Sequence, residues 1–196
     1  DDWLIDYEPP IRYQTLLTEN GIHFEKGSQV HALNIQTGEL EIDQLDDELH
    51  FDVDAFNRRV INEDFNRVIC EELVKELDPF GEGKTLIFCA TDKHADMVKR
   101  LLDDAFSNLY PDYNQAAVEK ITGKSDKVDT LIKRYKNERY PNIAITVDLL
   151  TTGLDVPKIS NLVFMRRIRS RILFEQMIGR ATRRCDDIGK TVFRIY

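Results

Sequence analysis

The chain has little of what marks a membrane protein, a disulfide-built protein or a metalloprotein. Its longest apolar runs, such as TLIFCA and NLVFM, fall far short of the roughly 20 residues that cross a bilayer as a helix. No charged and apolar leader stands at its start. Cys70, Cys89 and Cys185 are few, odd in number and without metal-ligand spacing, so the expectation is thiols in a reducing, cytoplasmic setting. The four histidines are scattered, and no cluster of Asp, Glu and His has the spacing of a metal site. Internal repeats and low-complexity tracts are absent. An initiator Met is also lacking and the sequence stops on the apparent strand TVFRIY, so the expectation is a piece of a longer protein.

Two familiar motifs are approached but not met. GEGKT suggests a phosphate-binding P-loop, but that motif needs a glycine five positions before Gly83, and residue 78 is Asp. The cradle also follows a strand and opens a helix, whereas Gly83-Lys84-Thr85 opens a strand; a turn is the better reading. PDYNQAAVEK suggests the acidic metal site of many nucleases. That pattern places an acid two residues before a lysine, but Glu119 is followed directly by Lys120, and residue 121 is Ile.

What the sequence does have is a core and an uneven charge. Its 196 residues suffice for one domain with an appendage or for two small ones, and 42% are hydrophobic. The formal net charge is −8, yet residues 1–79 carry 20 acidic and 6 basic side chains, whereas residues 80–196 carry 15 acidic and 21 basic. A basic part can meet a polyanion locally even when the whole chain is acidic.

From residue 84 onward, short apolar runs alternate with amphipathic helices. TLIFCA reads as a buried strand, followed by the helix DKHADMVKRLLDDAF with Thr91 or Asp92 as its cap. AAVEKIT reads as a strand, KVDTLIKRYKN as a helix capped by Ser125 or Asp126, and NIAITV, NLVFM and KTVFRI as three further strands. Strands separated by helices predict an α/β fold, a parallel sheet with helices on both faces, over residues 80–196. Ligands of such sheets bind beyond the carboxyl ends of the strands, where CAT, ITGK and TTGLD fall. Residues 1–79 predict a small hairpin-plus-helix segment packed on that domain: two strands turning at QTGE, then the helix NEDFNRVICEELVKEL with Asn62 or Asn66 near its start. Its acidity reads more readily as a solvated face than as a site.

EQMIGRATRR, Glu175 to Arg184, needs a separate explanation. On a helix continuing to residue 184, Gln176, Gly179, Arg180 and Arg183 share one face. Gly179 costs such a helix roughly 1 kcal/mol relative to Ala, which points to a close backbone approach. Two guanidiniums on one face suit phosphate oxygens; equally, they suit ion pairs with acids such as Asp155 or Asp148. Arg166, Arg167, Arg169 and Arg171 form either a solvated basic edge or a further phosphate contact.

QMIGRATRR resembles the last motif of superfamily 2 helicases and translocases, Gln-x-x-Gly-Arg-x-x-Arg, and TTGLDVP resembles the nucleotide-side motif before it. LIFCAT and ITGK resemble the motifs that line the nucleic-acid track. Their order is similar to that in the second RecA-like domain of that superfamily, over about residues 80–196. More closely, LIDYEPP, FDVDAFNRRVINEDFNR, EGKTLIFCATDKHADMV and RSRILFEQMIGRATR resemble the motor (R) subunits of type I restriction enzymes, along nearly the whole chain.

That resemblance implies ATP- and Mg²⁺-driven translocation of double-stranded DNA toward cleavage, in complex with methyltransferase and specificity subunits. The first RecA-like domain would hold most of the ATP and Mg²⁺ contacts, and a nuclease domain would precede it; neither the P-loop nor a nuclease site is in this sequence, and no metal ligands are expected. Arg183 and Arg180 are implied as arginine fingers with Gln176 orienting the site, and Gly153 and Asp155 as nucleotide contacts. Thr91, Thr122, Gly123, Lys124, Thr151 and Thr152 are implied along DNA phosphates, although each threonine taken alone suits a cap or a turn equally well. The competing readings are the same half-motor from another superfamily 2 enzyme, such as a repair helicase, and a non-catalytic interaction module that keeps the fold.

Overall fold

The computed structural model describes residues 4–12, 22–24, 29–33, 40–44, 49–51, 63–148, 155–166, 168 and 170–196. The expectations for Thr151, Thr152, Gly153, Arg167, Arg169, Asn62 and the QTGE turn lie outside the described residues.

In the first part of the chain, β1 (Ile22–Phe24) pairs antiparallel with β4 (Leu49–Phe51), and β2 (Gln29–Leu33) pairs antiparallel with β3 (Leu40–Gln44). Leu33 faces Leu40 in register, so β2 and β3 are the two strands that flank the expected turn.

Helix α1 (Glu63–Glu76) buries Phe65, Ile69, Cys70, Leu73 and Val74, a stripe at helical spacing. After it come β5 (Lys84–Phe88), α2 (Asp92–Leu109), β6 (Val118–Lys120), α3 (Val128–Asn137), β7 (Ile143–Thr146), β8 (Ile159–Phe164), α4 (Arg171–Ile178) and β9 (Arg194–Ile195). The sheet order is β6-β7-β5-β8-β9, with every pair parallel. The chain starts at the centre, runs out to β6, returns through β7 and crosses β5 to reach β8. This makes β5 the switch point of the sheet.

Helices cover both faces, as the alternation predicts. On one face Ile87, Cys89, Ile143, Ile145 and Val163 meet α1 and α2; on the other Leu86, Phe88, Ala144 and Leu162 meet Tyr135 of α3 and Met177 of α4. Buried on both sides, the strands read as near-continuous apolar runs. Leu73 and Leu77 belong to the same core as Leu101 and Phe106 of α2. The 79/80 boundary therefore runs through packed side chains.

Residues 4–12 lie along β9. Ile11 N–H donates to Ile195 O at 2.8 Å, Glu8 N–H to Phe193 O at 3.1 Å, and Arg194 pairs with Glu8 at 2.7 Å. An edge strand presents unpaired backbone groups, and this segment bonds to them.

Two local expectations are corrected. The cap of α3 is Lys127, in the left-handed region at φ 53° and without a side-chain cap bond, not Ser125 or Asp126. Ser125 Oγ is occupied elsewhere, accepting from Thr122 N–H at 3.0 Å and donating to Lys120 O at 3.2 Å. Helix α4 stops at Ile178 and does not continue to 184. Gly179 N–H makes the last i→i−4 bond, to Glu175 O, and the bonds of Arg180 and Ala181 then tighten to i→i−3 before the backbone extends to pair Arg183 with Leu4.

Candidate functional site

The arginine loop follows α4, whose start is capped by Ser170 Oγ accepting from Leu173 N–H. Because the helix ends at Ile178, Arg180 and Arg183 do not extend its face. Gln176 is exposed on the last turn, Arg180 is half-buried, and Arg183 is exposed on extended backbone. Among the described residues, the close approach expected at Gly179 comes from α4 itself: a Cβ there would sit 3.3 Å from Glu175 O and 3.5 Å from Gln176 O.

Arg183 Nη1 lies 2.7 Å from Asp155 Oδ2, so the ion-pair alternative left open by the sequence is realised here. Both side chains are about half exposed, at 59% and 47%. Such a pair is worth roughly 0.2–1 kcal/mol. It sets the direction of the guanidinium more than it holds the fold. Asp155 leads into β8 from the amino end of the strand: Lys158 O, just before β8, accepts the N–H of Lys84, first residue of β5.

The other expected residues gather at the carboxyl ends of β5 and β6. Thr91 Oγ1 caps α2 by accepting from His94 N–H at 3.1 Å. Thr122 is buried and its hydroxyl donates to Asp92 Oδ1. Lys120 bridges Asp92 at 3.0 Å and Asp96 at 2.6 Å. Burial alone pushes the Asp92 carboxyl up, but the Thr122 hydroxyl and the Lys120 ammonium outweigh it and hold it below the ordinary range. Gly123 and Lys124 are exposed. A Cβ on Gly123 would meet nothing within 4 Å, so nothing in the described chain requires a glycine there.

Beneath this edge, His94 is fully buried, with Ala90 N–H donating to Nδ1 at 3.1 Å and Nε2 lying 2.9 Å from Asn66 Oδ1. A ring that accepts at Nδ1 carries its proton on Nε2 and donates it to Asn66. Burial lowers its pKa to about 4. Asn66 lies in the first turn of α1, near its start as read from the sequence, and is this buried partner.

Of the basic edge, Arg166 and Arg171 are among the described residues. Arg166 reaches Val147 O at 3.4 Å, and exposed Arg171 pairs with Glu175 within α4. Lys84 of the P-loop look-alike turns inward, to three backbone carbonyls, as the turn reading requires. The three cysteines are free and buried. Among the described residues no group of His, Cys, Asp and Glu fits a metal ion, and no helix is long and apolar enough to cross a membrane. Sequence reasoning missed Lys190, which contacts both the arginine loop and the segment after Asp155; an isolated lysine in a turn carries no periodic or motif signal.

The helicase conserved C-terminal domain family matches residues 66–185, more than half of the chain. The chain belongs to that family. Over its whole length this helicase domain is 50% identical to the endonuclease subunit of the type I restriction enzyme EcoKI of Escherichia coli K12, and spans 17% of that subunit. It is 31% identical, over 77% of its length, to the corresponding subunit of EcoAI of Escherichia coli, of which it spans 19%. The resemblance to R subunits read from the motifs is thereby borne out.

Among solved structures it is similar to a fragment assigned as an HsdR subunit of a type I restriction enzyme from Vibrio vulnificus YJ016. The TM-score is 0.55 and the identity 29%, covering 73% of this chain and 29% of that one. Domain 2 of the DEAD-box helicase Mss116p, solved on an RNA duplex, superposes with a TM-score of 0.50 at 20% identity, over 68% of this chain and 49% of that one. At that identity the likeness establishes the RecA-like fold alone.

Proposed function

We propose that this chain is the second motor domain of an ATP-driven translocase of double-stranded DNA, acting within a type I restriction-modification complex. The observation that carries this reading is the pairing of Arg183 with Asp155, which brings the two nucleotide-side motifs together at an exposed surface. The first RecA-like domain of the same subunit supplies the phosphate cradle and the Mg²⁺ ligands, and a nuclease domain and the methyltransferase and specificity subunits complete the assembly. The residues here fit one half of an ATP site. They offer exposed guanidinium donors for phosphate but, among those described, no cluster for a metal.

When the two domains close, Arg183, with Arg180 beside it, stabilises the charge spread over the transferring phosphoryl oxygens. Gln176 helps orient the site, and Gly153 and Asp155 respond to the nucleotide. At the carboxyl edge, Gly123 and Lys124 present the exposed part of their loop to a DNA phosphate, with Thr91, Thr151 and Thr152 along the same track. Thr122, whose hydroxyl is given to Asp92, supports that loop from beneath. Contacts of this kind position DNA without reading its sequence.

The test is Arg183→Ala in the full-length subunit, assembled with its partner subunits. An arginine finger contributes roughly 10³ to 10⁵ in rate, or about 4–7 kcal/mol, while the exposed ion pair contributes at most about 1 kcal/mol to stability. Turnover and triplex displacement should therefore collapse in a folded complex that still shifts DNA in a gel, with kcat falling more than the KM for ATP rises. Arg183→Lys should recover little, because an ammonium lacks the planar fork. ATP turnover within about threefold of wild type would defeat the assignment and move the test to Arg180. This chain by itself should release no phosphate from ATP, with or without DNA.

A further inference from the structure

The loop that carries Arg183 is held by a residue to which no motif points. Lys190 is only 5% exposed, and its ammonium donates to Ala181 O at 2.7 Å, Arg183 O at 2.8 Å and Pro157 O at 2.9 Å. An ammonium has three protons, and here each has an acceptor. Two acceptors flank Thr182 in the arginine loop, and the third lies two residues after Asp155. The carbonyl between the first two, Thr182 O, accepts Ile5 N–H at 2.8 Å. Three consecutive peptide groups are therefore oriented from outside the loop, and with them the bond by which the Arg183 side chain leaves the backbone.

Local structure brings Lys190 to this place. After Arg184 the chain turns through Asp186–Ile188, with Gly189 in the left-handed region at φ 63°, a conformation that favours glycine. Lys190 N–H then closes the turn on Cys185 O at 3.0 Å. The return places the lysine side chain beneath the loop it has just left.

We infer that Lys190 is a positioning residue for the arginine site, tying the Arg183 loop to the segment that bears Asp155. The inference rests on the assignment of Arg183 to the transferring phosphoryl group. The exposed Arg183–Asp155 pair is too weak to hold two segments in register by itself. Three charge-assisted bonds from a buried ammonium are not. Placement matters because a shift of about 1 Å in a reacting group can cost on the order of 10²-fold in rate. The hydrogen bonds of the Lys190 ammonium all go to main-chain carbonyls, so it acts through the backbone of both segments.

The experiment uses the full-length subunit assembled with its partners, comparing Lys190→Met and Lys190→Arg with Arg183→Ala and wild type. Two readouts are taken: kcat and the KM for ATP per folded complex, and amide hydrogen exchange over residues 155–158 and 180–185. Lys190→Met should lower kcat at least about tenfold with KM within about threefold, and should speed exchange in both segments. Lys190→Arg, which keeps the charge and several donors, should recover part of kcat. Unchanged exchange in both segments overturns the tie. Lost folded complex with wild-type kcat in what remains shows a structural role only, and also overturns the inference. If Lys190→Met yields no folded subunit, Lys190→Arg decides: slower turnover at unchanged KM supports the role, and wild-type kcat ends it. Wild-type turnover in Arg183→Ala overturns the functional reading itself; wild-type kcat in Lys190→Met beside an inactive Arg183→Ala overturns the positioning role alone.

Discussion

Lys84 and Lys190 are bonded in the same way, in two different regions of the molecule. Each is buried, each donates to three backbone carbonyls, and burial pushes each ammonium down to about 8. Lys84 Nζ serves Glu138, Arg139 and Pro141, between α3 and β7, and also lies 5.5 Å from the ring centre of Tyr135. Lys190 Nζ serves Ala181, Arg183 and Pro157. Even the neighbours correspond: each lysine holds the carbonyl of an exposed arginine, Arg139 in one case and Arg183 in the other. The chemistry of a buried lysine therefore does not say whether it serves stability or turnover. What distinguishes the two is what the held loop presents. Arg139 lies over its own neighbour, Tyr140, at 5.3 Å, whereas Arg183 faces Asp155 from the motif that leads into β8.

The largest expected contrast is between the two arginines. In the full-length subunit Arg183→Ala should lower ATP turnover by roughly 10³-fold or more, while Arg139→Ala should leave it within about twofold. Equal losses from the two substitutions would erase the distinction between the loops. The lysines come next. Lys84→Met should cost about 2–3 kcal/mol of stability, since it leaves buried carbonyls unpaired, yet leave kcat per folded molecule unchanged. Lys190→Met should lower kcat. Thermal midpoints beside steady-state kinetics decide this, and a kcat loss in Lys84→Met would break the comparison.

His94 extends the comparison to the carboxyl edge, because it is a buried polar group that titrates in a useful range. Its folded pKa, about 4, lies below the ordinary value of 6.5, so the unfolded chain binds the proton more readily. Stability from the neutral ring is complete above pH 6.5 and is lost as pH falls toward 4. Between pH 6.5 and 4.5 the wild type should lose about 2 kcal/mol more than His94→Gln does. Unfolding midpoints across that range check the sign, and a flat difference would contradict it. The smallest effect belongs to the exposed Arg194–Glu8 pair at the β9 edge, where Glu8→Ala should cost under about 1 kcal/mol and leave turnover alone.

Much of the fold was legible in the residues. Apolar runs such as TLIFCA and NIAITV are short and continuous because the strands are buried on both faces, and the helices between them carry single apolar stripes. The order and spacing of QMIGRATRR and TTGLDVP pointed to the helicase family, since motif residues keep their sequence separations whatever the surrounding packing. Thr91 was legible as a cap because capping is a local bond between a side chain and a nearby N–H. Only the tertiary structure decided where α4 ends. A helical repeat continues on paper through Gly179 to Arg183, but the backbone of Arg183 pairs with Leu4, far away in sequence. Only the fold, likewise, decided that Thr122 gives its hydroxyl to Asp92, that His94 meets Asn66, and that Lys190 reaches both Pro157 and Ala181. Periodicity and capping act within a few residues of chain and can be read from it. A carbonyl or carboxylate brought from 28 or 33 residues away, as Asp155 is to Arg183 and Pro157 to Lys190, becomes a neighbour only when the sheet closes.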